Sequence, residues 1–128
     1  MAVAFITGGT GLLGGRLVET LLREGWTVRA LHRSTKDADR LRALGAEPVQ
    51  GDLADVAAFR GGLNGADVVF HCAALFTMWA PPAEFERANV QGTRDLLAVA
   101  SAAGVKRFVQ IGAVGDRNGQ ATGDERRC

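Results

Sequence analysis

The stretch Ala4-Phe5-Ile6-Thr7-Gly8-Gly9-Thr10-Gly11-Leu12-Leu13-Gly14-Gly15 constrains this chain more than any other, because an apolar run breaks into glycines and then resumes at helical spacing. Val3 to Ile6 is apolar without alternation, the pattern of a strand covered on both faces. Leu13, Leu17 and Leu21, with Val18 and Leu22, then predict a helix with one apolar face. The glycines between have separable jobs: Gly8 for the tight turn, Gly11 for close approach of a ligand to the backbone, and Gly14 for packing helix on strand. An anion at this turn meets unpaired backbone N–H groups and the positive end of the helix dipole. Gly9-x-Gly11-x-x-Gly14 overlaps Thr7-Gly8-x-x-Gly11-x-x-Gly14 between a strand and a helix, which is a phosphate-binding signature. A ligand-free glycine hairpin is the bland alternative, and the helix that follows argues against it.

The rest of the chain sets limits. Its 128 residues, 47% hydrophobic and 23% charged, suffice for one core and give no sign of a fibrous repeat. With Lys+Arg 15 against Asp+Glu 14 the net charge is +1, so no long-range field recruits nucleic acid or an anionic membrane. Cys72 and Cys128 form neither a metal spacing nor a disulfide framework, and no run of apolar residues reaches membrane-spanning length. With no basic, apolar leader at the N-terminus, the expectation is a soluble cytoplasmic chain with free thiols.

In chain order, Gly25 stands where a left-handed helix cap belongs and Trp26 to Arg33 supplies a second strand. A short helix over 37–44, a third strand over 47–50 and a helix over 53–63 follow. Ala66 to Cys72 reads as the fourth strand, Ala83 to Ala103 as a long helix capped by Gly104, and Val105 to Ile111 as the fifth strand. Strands alternating with helices through short connections require a parallel sheet covered on both faces, and right-handed crossovers leave few arrangements. The expected fold is therefore α/β, a Rossmann-type doubly wound sheet of about five strands in order 3-2-1-4-5. Residues 1–111 form the domain and the polar stretch 112–128 reads as loop or disordered tail. With the usual neighbours of the fifth strand missing, its open edge is expected to favour self-association.

The ends of the strands carry the chemistry, since ligands of open α/β sheets bind there. In dinucleotide folds an acidic residue at the end of the second strand binds a ribose, whereas an Arg there accommodates a 2′-phosphate. This chain offers His32-Arg33-Ser34-Thr35-Lys36, which favours NADP over NAD; a solvated turn is the alternative. Asp52, after the third strand, also suits the N-cap of the next helix. His71, after the fourth, titrates near neutrality and invites a general-base reading. Phe76, Met78 and Trp79 either line a pocket or pack on the core.

These segments together resemble the extended short-chain dehydrogenase/reductase family, the NAD(P)-dependent epimerases, dehydratases and reductases. The resemblance runs from residue 2 to about 111. It implies that Gly8, Thr10, Gly11, Leu12, Leu13 and Gly14 hold the pyrophosphate and that Asp52 and Leu53 hold the adenine. It implies further that Ala73 and Ala74 of His71-Cys72-Ala73-Ala74 pass under the nicotinamide ribose, and that His71 is structural. Asn89 of Asn89-Val90-Gln91-Gly92-Thr93 would order backbone and water near the catalytic group.

The family's catalytic part does not match. Its usual serines correspond to Gly112-Ala113, the sequence holds no Tyr for the Tyr-x-x-x-Lys motif, and its only Lys residues are Lys36 and Lys106. No catalytic residue is assigned in this chain. The substrate-binding C-terminal part is also missing, and Thr122-Gly123-Asp124-Glu125 resembles the acidic segment that precedes the motif, so the chain reads as cut short. The expectation is NADP(H) binding without turnover, with a non-catalytic dinucleotide-binding or redox-sensing module as the alternative. A methyltransferase of similar topology fits less well, for want of an acidic residue near Arg33.

Overall fold

The computed structural model describes residues 2–9, 11–72, 82–115 and 121–127, with the backbone alone described at 12, 82–90, 112–115 and 121–127. Among these residues are six strands and three α-helices, in the order β1 (Val3–Thr7), α1 (Leu12–Arg23), β2 (Thr27–His32), α2 (Thr35–Leu44), β3 (Glu47–Gln50), β4 (Val68–His71), α3 (Pro82–Ala102), β5 (Arg107–Gly115) and β6 (Ala121–Arg127). A 3₁₀ segment, Leu53–Leu63, lies between β3 and β4. The sheet order is β3-β2-β1-β4-β5-β6. All pairings from β3 to β5 are parallel, as the doubly wound pattern requires.

Side-chain alternation on β1 divides the core into two layers. Ala4 and Ile6 face α1 and α2, where they join Val18, Leu21, Val28, Ala30 and Leu41. Phe5 faces the other way, among Val56, Phe59, Leu63, Val69, Leu96 and Phe108. Its ring stacks on Phe59 at 5.8 Å between centroids, and it is fully buried. Truncating such a residue to alanine costs about 3 to 5 kcal/mol. At the amino ends of the strands, the Val3 N–H donates to Asp67 Oδ2 at 2.8 Å, and Arg29 on β2 donates to the carbonyls of Gly62 and Asn64. Gly25, at φ +89°, ends α1 as expected.

Three expectations change. The helix expected over 53–63 is 3₁₀ and kinked at Asp55, whose φ of −139° is not helical. Gly61 and Gly62 weaken a regular helix there. A Cβ on Gly62 would stand 3.0 Å from Val49 and 3.2 Å from Phe5, so close packing on the sheet wins over helical propensity.

The stretch from Gly112, expected as loop or disordered tail, instead continues β5 to Gly115 and returns as β6. The antiparallel register runs from Val109↔Arg127 to Gly115↔Ala121. β6 shows no apolar alternation, because an outer strand is held by its backbone ladder and needs no apolar period. The fifth strand is consequently not the edge of the sheet, contrary to expectation. β6 covers it and presents the charge-rich Asp124-Glu125-Arg126-Arg127, a composition that discourages pairing with another chain.

Candidate functional site

The chain leaves β1 toward β2 and β3 on one side, and β4 and β5 lie on the other. The order thus reverses at β1, the switch point beyond whose strand carboxyl ends open α/β sheets bind ligands. The turn after β1 opens there. Gly8 has φ +72°, a left-handed conformation that a side chain would strain, and its carbonyl accepts from the Gly11 N–H at 3.0 Å. A Cβ on Gly14 would lie 1.9 Å from that same carbonyl oxygen, so α1 docks on the turn only because residue 14 has no side chain.

Gly11 differs. It is the N-cap of α1, with ordinary extended angles of φ −77° and ψ 174°, and among the described residues a Cβ there would meet only Gly8 O, at 3.3 Å. Neither backbone strain nor a severe clash within the protein demands glycine at this position. No side chain caps α1, its first turn holds no acidic residue, and Leu13 is 54% exposed beside it. Among the described residues nothing caps this helix end, and uncapped helix N-termini favour anions.

After β2, His32 is buried and its Nδ1 lies 2.9 Å from the Ser34 carbonyl oxygen. A carbonyl only accepts, so Nδ1–H is the donor and the tautomer is set. This bond closes a tight loop with Arg33 at its apex, exposed and without an ion pair among the described residues. Ser34 then caps α2 by accepting from the Asp37 N–H. The role of His32 in shaping the Arg33 loop escaped sequence reasoning. Its signal was a histidine at the last, buried position of a strand.

The Gly51 N–H donates to the His32 carbonyl at 2.9 Å, joining the ends of β2 and β3. Asp52 follows, exposed, and caps the 3₁₀ segment through Oδ1, 2.9 Å from the Ala54 N–H. The N-cap reading of Asp52 therefore holds, and the residue is exposed at the carboxyl end of β3. Leu53 carries the backbone of α3: a Cβ on Gly92 would meet Leu53 O at 3.4 Å.

At the end of β4, His71 is buried between two threonines. Its Nδ1 is 2.7 Å from Thr7 Oγ1, at the end of β1, and its Nε2 is 3.0 Å from Thr93 Oγ1, on α3. Burial lowers the His71 pKa from 6.5 to about 4, so the ring is neutral at physiological pH. A neutral imidazole has one donor and one acceptor, hence one threonine hydroxyl donates and the other accepts. With both nitrogens engaged inside the protein, the geometry favours the structural reading of His71 over the general-base one. Cys72 is half-buried, and burial raises its thiol to about 11, which makes it a weak nucleophile.

Thr10, Ala73, Ala74, Phe76, Met78 and Trp79 lie outside the described residues. Leu12 opens α1 and Asn89 lies on α3, four residues before Thr93. Among the described residues no His, Cys, Asp or Glu cluster could hold a metal, and no helix is long and apolar enough to cross a membrane.

Residues 4–126 match the NAD dependent epimerase/dehydratase family. The chain belongs to that family. A relative from Stigmatella aurantiaca, 4-hydroxy-2-methyl-3-oxo-4-farnesyl-3,4-dihydroquinoline-1-oxide ketoreductase, is 46% identical over 107 residues. That match covers 84% of this chain and 32% of the relative. A short-chain dehydrogenase/reductase superfamily protein from Agrobacterium tumefaciens, solved with bound NAD, superposes with a TM-score of 0.68 at 39% identity. It covers 84% of this chain and 31% of its own. Vestitone reductase from alfalfa gives a TM-score of 0.69 at 26% identity, over 86% of this chain and 36% of its own. The epimerase/dehydratase chain described here thus spans about a third of the length of the relatives it matches, and the matched third is the doubly wound sheet.

Proposed function

We propose that these 128 residues bind a nicotinamide dinucleotide, NADP(H) in preference to NAD(H), and bind it without turnover. The observation that carries the reading is Gly11: an N-cap glycine that neither its backbone angles nor a severe clash among the described residues requires, at an uncapped helix end. In this reading Gly8, Thr10, Gly11, Leu12, Leu13 and Gly14 hold the pyrophosphate. Arg33 takes the 2′-phosphate, Asp52 and Leu53 take the adenine, and Ala73, Ala74 and Asn89 stand on the nicotinamide side. The dinucleotide supplies redox chemistry when bound. The chain's own residues bind and orient it.

The absence of turnover follows from what stands in the sequence: no Tyr, and Gly112-Ala113 in place of the family's serines. A positioned proton donor or acceptor contributes about 10²- to 10⁴-fold in rate, and none is assigned in these residues. The protein as a whole is proposed to be an oxidoreductase of the epimerase/dehydratase type. A cytoplasmic setting suits the unpaired Cys72 thiol, and the near-neutral net charge favours neither nucleic acid nor an anionic membrane as a partner.

Preference for NADP(H) rests on the exposed Arg33 and on the lack of any Asp or Glu between Trp26 and Lys36. A charge-assisted contact to phosphate is worth roughly 1.5 to 3 kcal/mol, about ten- to hundredfold in affinity. Titration calorimetry with NADPH and NADH tests it. Arg33→Ala is expected to weaken NADPH by that factor and leave NADH unchanged; equal affinities that survive the substitution contradict the assignment.

A further inference from the structure

Burying an imidazole is costly unless its polar atoms are paired, so the partner it takes shows what the burial serves. His32 is buried at the last position of β2, a strand whose other buried residues, Val28, Ala30 and Leu31, are apolar. Its Nδ1–H donates to the Ser34 carbonyl at 2.9 Å, two residues on. That carbonyl does not need the bond. Ser34 is exposed and its carbonyl already accepts from the Ala38 N–H of α2, so water would serve it in place of the ring. What the bond supplies is the shape of the loop between.

Arg33 is the single residue in that loop. Before it, the His32 carbonyl accepts the Gly51 N–H, and Gly51 is itself pressed on the core, since a Cβ there would stand 2.6 Å from Phe59. After it, Ser34 is fixed as the cap of α2 by the N–H groups of Asp37 and Ala38. The His32 ring joins these two anchors across Arg33. The Arg33 backbone is therefore held from both sides at the carboxyl end of β2, while its side chain is exposed and has no ion pair among the described residues. A cationic side chain on a fixed backbone has less left to order when an anion arrives, and binds it more tightly for that reason.

We propose that His32 is a positioning residue for the 2′-phosphate of the dinucleotide: by holding the Arg33 loop in its binding shape it sets the preference for NADP(H) over NAD(H). This role rests on the dinucleotide reading above and deepens it. His32 itself touches no ligand and acts through Arg33. Its link to the loop after β3, which carries Asp52, is made by backbone and not by the ring. A change of side chain at residue 32 therefore reaches the 2′-phosphate and spares a dinucleotide that lacks one.

The test titrates wild type, His32→Leu, His32→Asn, Arg33→Ala and the double variant of His32→Leu with Arg33→Ala, each with NADPH and with NADH. His32→Leu removes the donor that closes the loop, so NADPH affinity is expected to fall about tenfold and NADH affinity to stay unchanged. His32→Asn can set an amide N–H where Nδ1 stood and is expected to restore NADPH binding. In the Arg33→Ala background, His32→Leu is expected to cost NADPH nothing further, because residues that act as a unit are not additive. Nitrogen NMR of the wild-type ring gives a second reading, a proton on His32 Nδ1.

Equal NADPH affinity in wild type and His32→Leu overturns the proposal, and so does an equal loss for both ligands. A wild-type ring that carries its proton on Nε2 alone overturns it as well. If His32→Leu does not fold, His32→Gln takes its place, since its amide reaches the position of Nε2 and not that of Nδ1; a folded His32→Gln that binds NADPH as wild type does overturns the role. Wild type that binds neither ligand refutes the dinucleotide reading itself, and the positioning role with it. Loss of NADPH affinity in Arg33→Ala but not in His32→Leu removes the His32 role alone.

Discussion

A Cβ atom on Gly14 would stand 1.9 Å from the carbonyl oxygen of Gly8, far inside contact distance, with both partners fixed in backbone. On Gly11 the same addition would meet the same oxygen at 3.3 Å. Two glycines three residues apart in one motif are therefore under different constraints: Gly14 is demanded by the packing of α1 on the turn, whereas Gly11 is not held to glycine by so severe a clash.

Gly14→Ala should accordingly be among the most destabilising single changes in this chain. Neither the turn nor α1 can yield without undocking the helix that buries Val18 and Leu21, and a loss of about 4 kcal/mol or more is expected. Gly11→Ala, at a helix N-cap, should cost about 1 kcal/mol or less. Urea denaturation of the two variants beside wild type measures the contrast, and equal stabilities contradict the division of labour.

Stability should fall with acid in a window set by His71. Its folded pKa, about 4, lies below the 6.5 of the unfolded chain, so between those values the unfolded state binds the extra proton. The stabilisation from the neutral ring is complete above pH 6.5 and is lost progressively as pH falls toward 4. By linkage this group alone removes about 2 kcal/mol at pH 5. Denaturation curves at neutral pH and at pH 5, with an NMR titration of the His71 ring, check it. A ring that protonates near 6.5 in the folded protein contradicts the buried threonine-paired geometry.

Much of the backbone geometry was legible because glycine spacing and strand ends report it directly. Gly8 sits in the left-handed turn expected of it, and five strands lie in the expected parallel order. What escaped was polar and non-local. Thr7, His71 and Thr93 are separated by 64 and 22 residues, and no periodicity in sequence joins a strand-end histidine to a helix threonine. The β5–β6 hairpin escaped for a related reason: Ala121–Arg127 has no apolar alternation to read, since a ladder of backbone hydrogen bonds holds it.

That hairpin makes its own prediction. Deleting residues 116–128 should uncover the outer side of β5, including the donors and acceptors that pair Val109 through Gly115 with β6. The shortened protein should associate with itself more than the full chain at equal concentration. Size-exclusion chromatography with light scattering decides, and identical masses for the two proteins contradict a protective role for β6.

The most direct test of the account is dinucleotide binding by Gly11→Val. Branched carbons at residue 11 would occupy the space that the pyrophosphate needs, while a Cβ there meets, among the described residues, only Gly8 O, at 3.3 Å. Calorimetric titration with NADPH should show binding by wild type and none by the variant, and far-UV circular dichroism should show the two equally folded. A folded Gly11→Val protein that binds NADPH as tightly as wild type would contradict the phosphate site on which the whole reading stands.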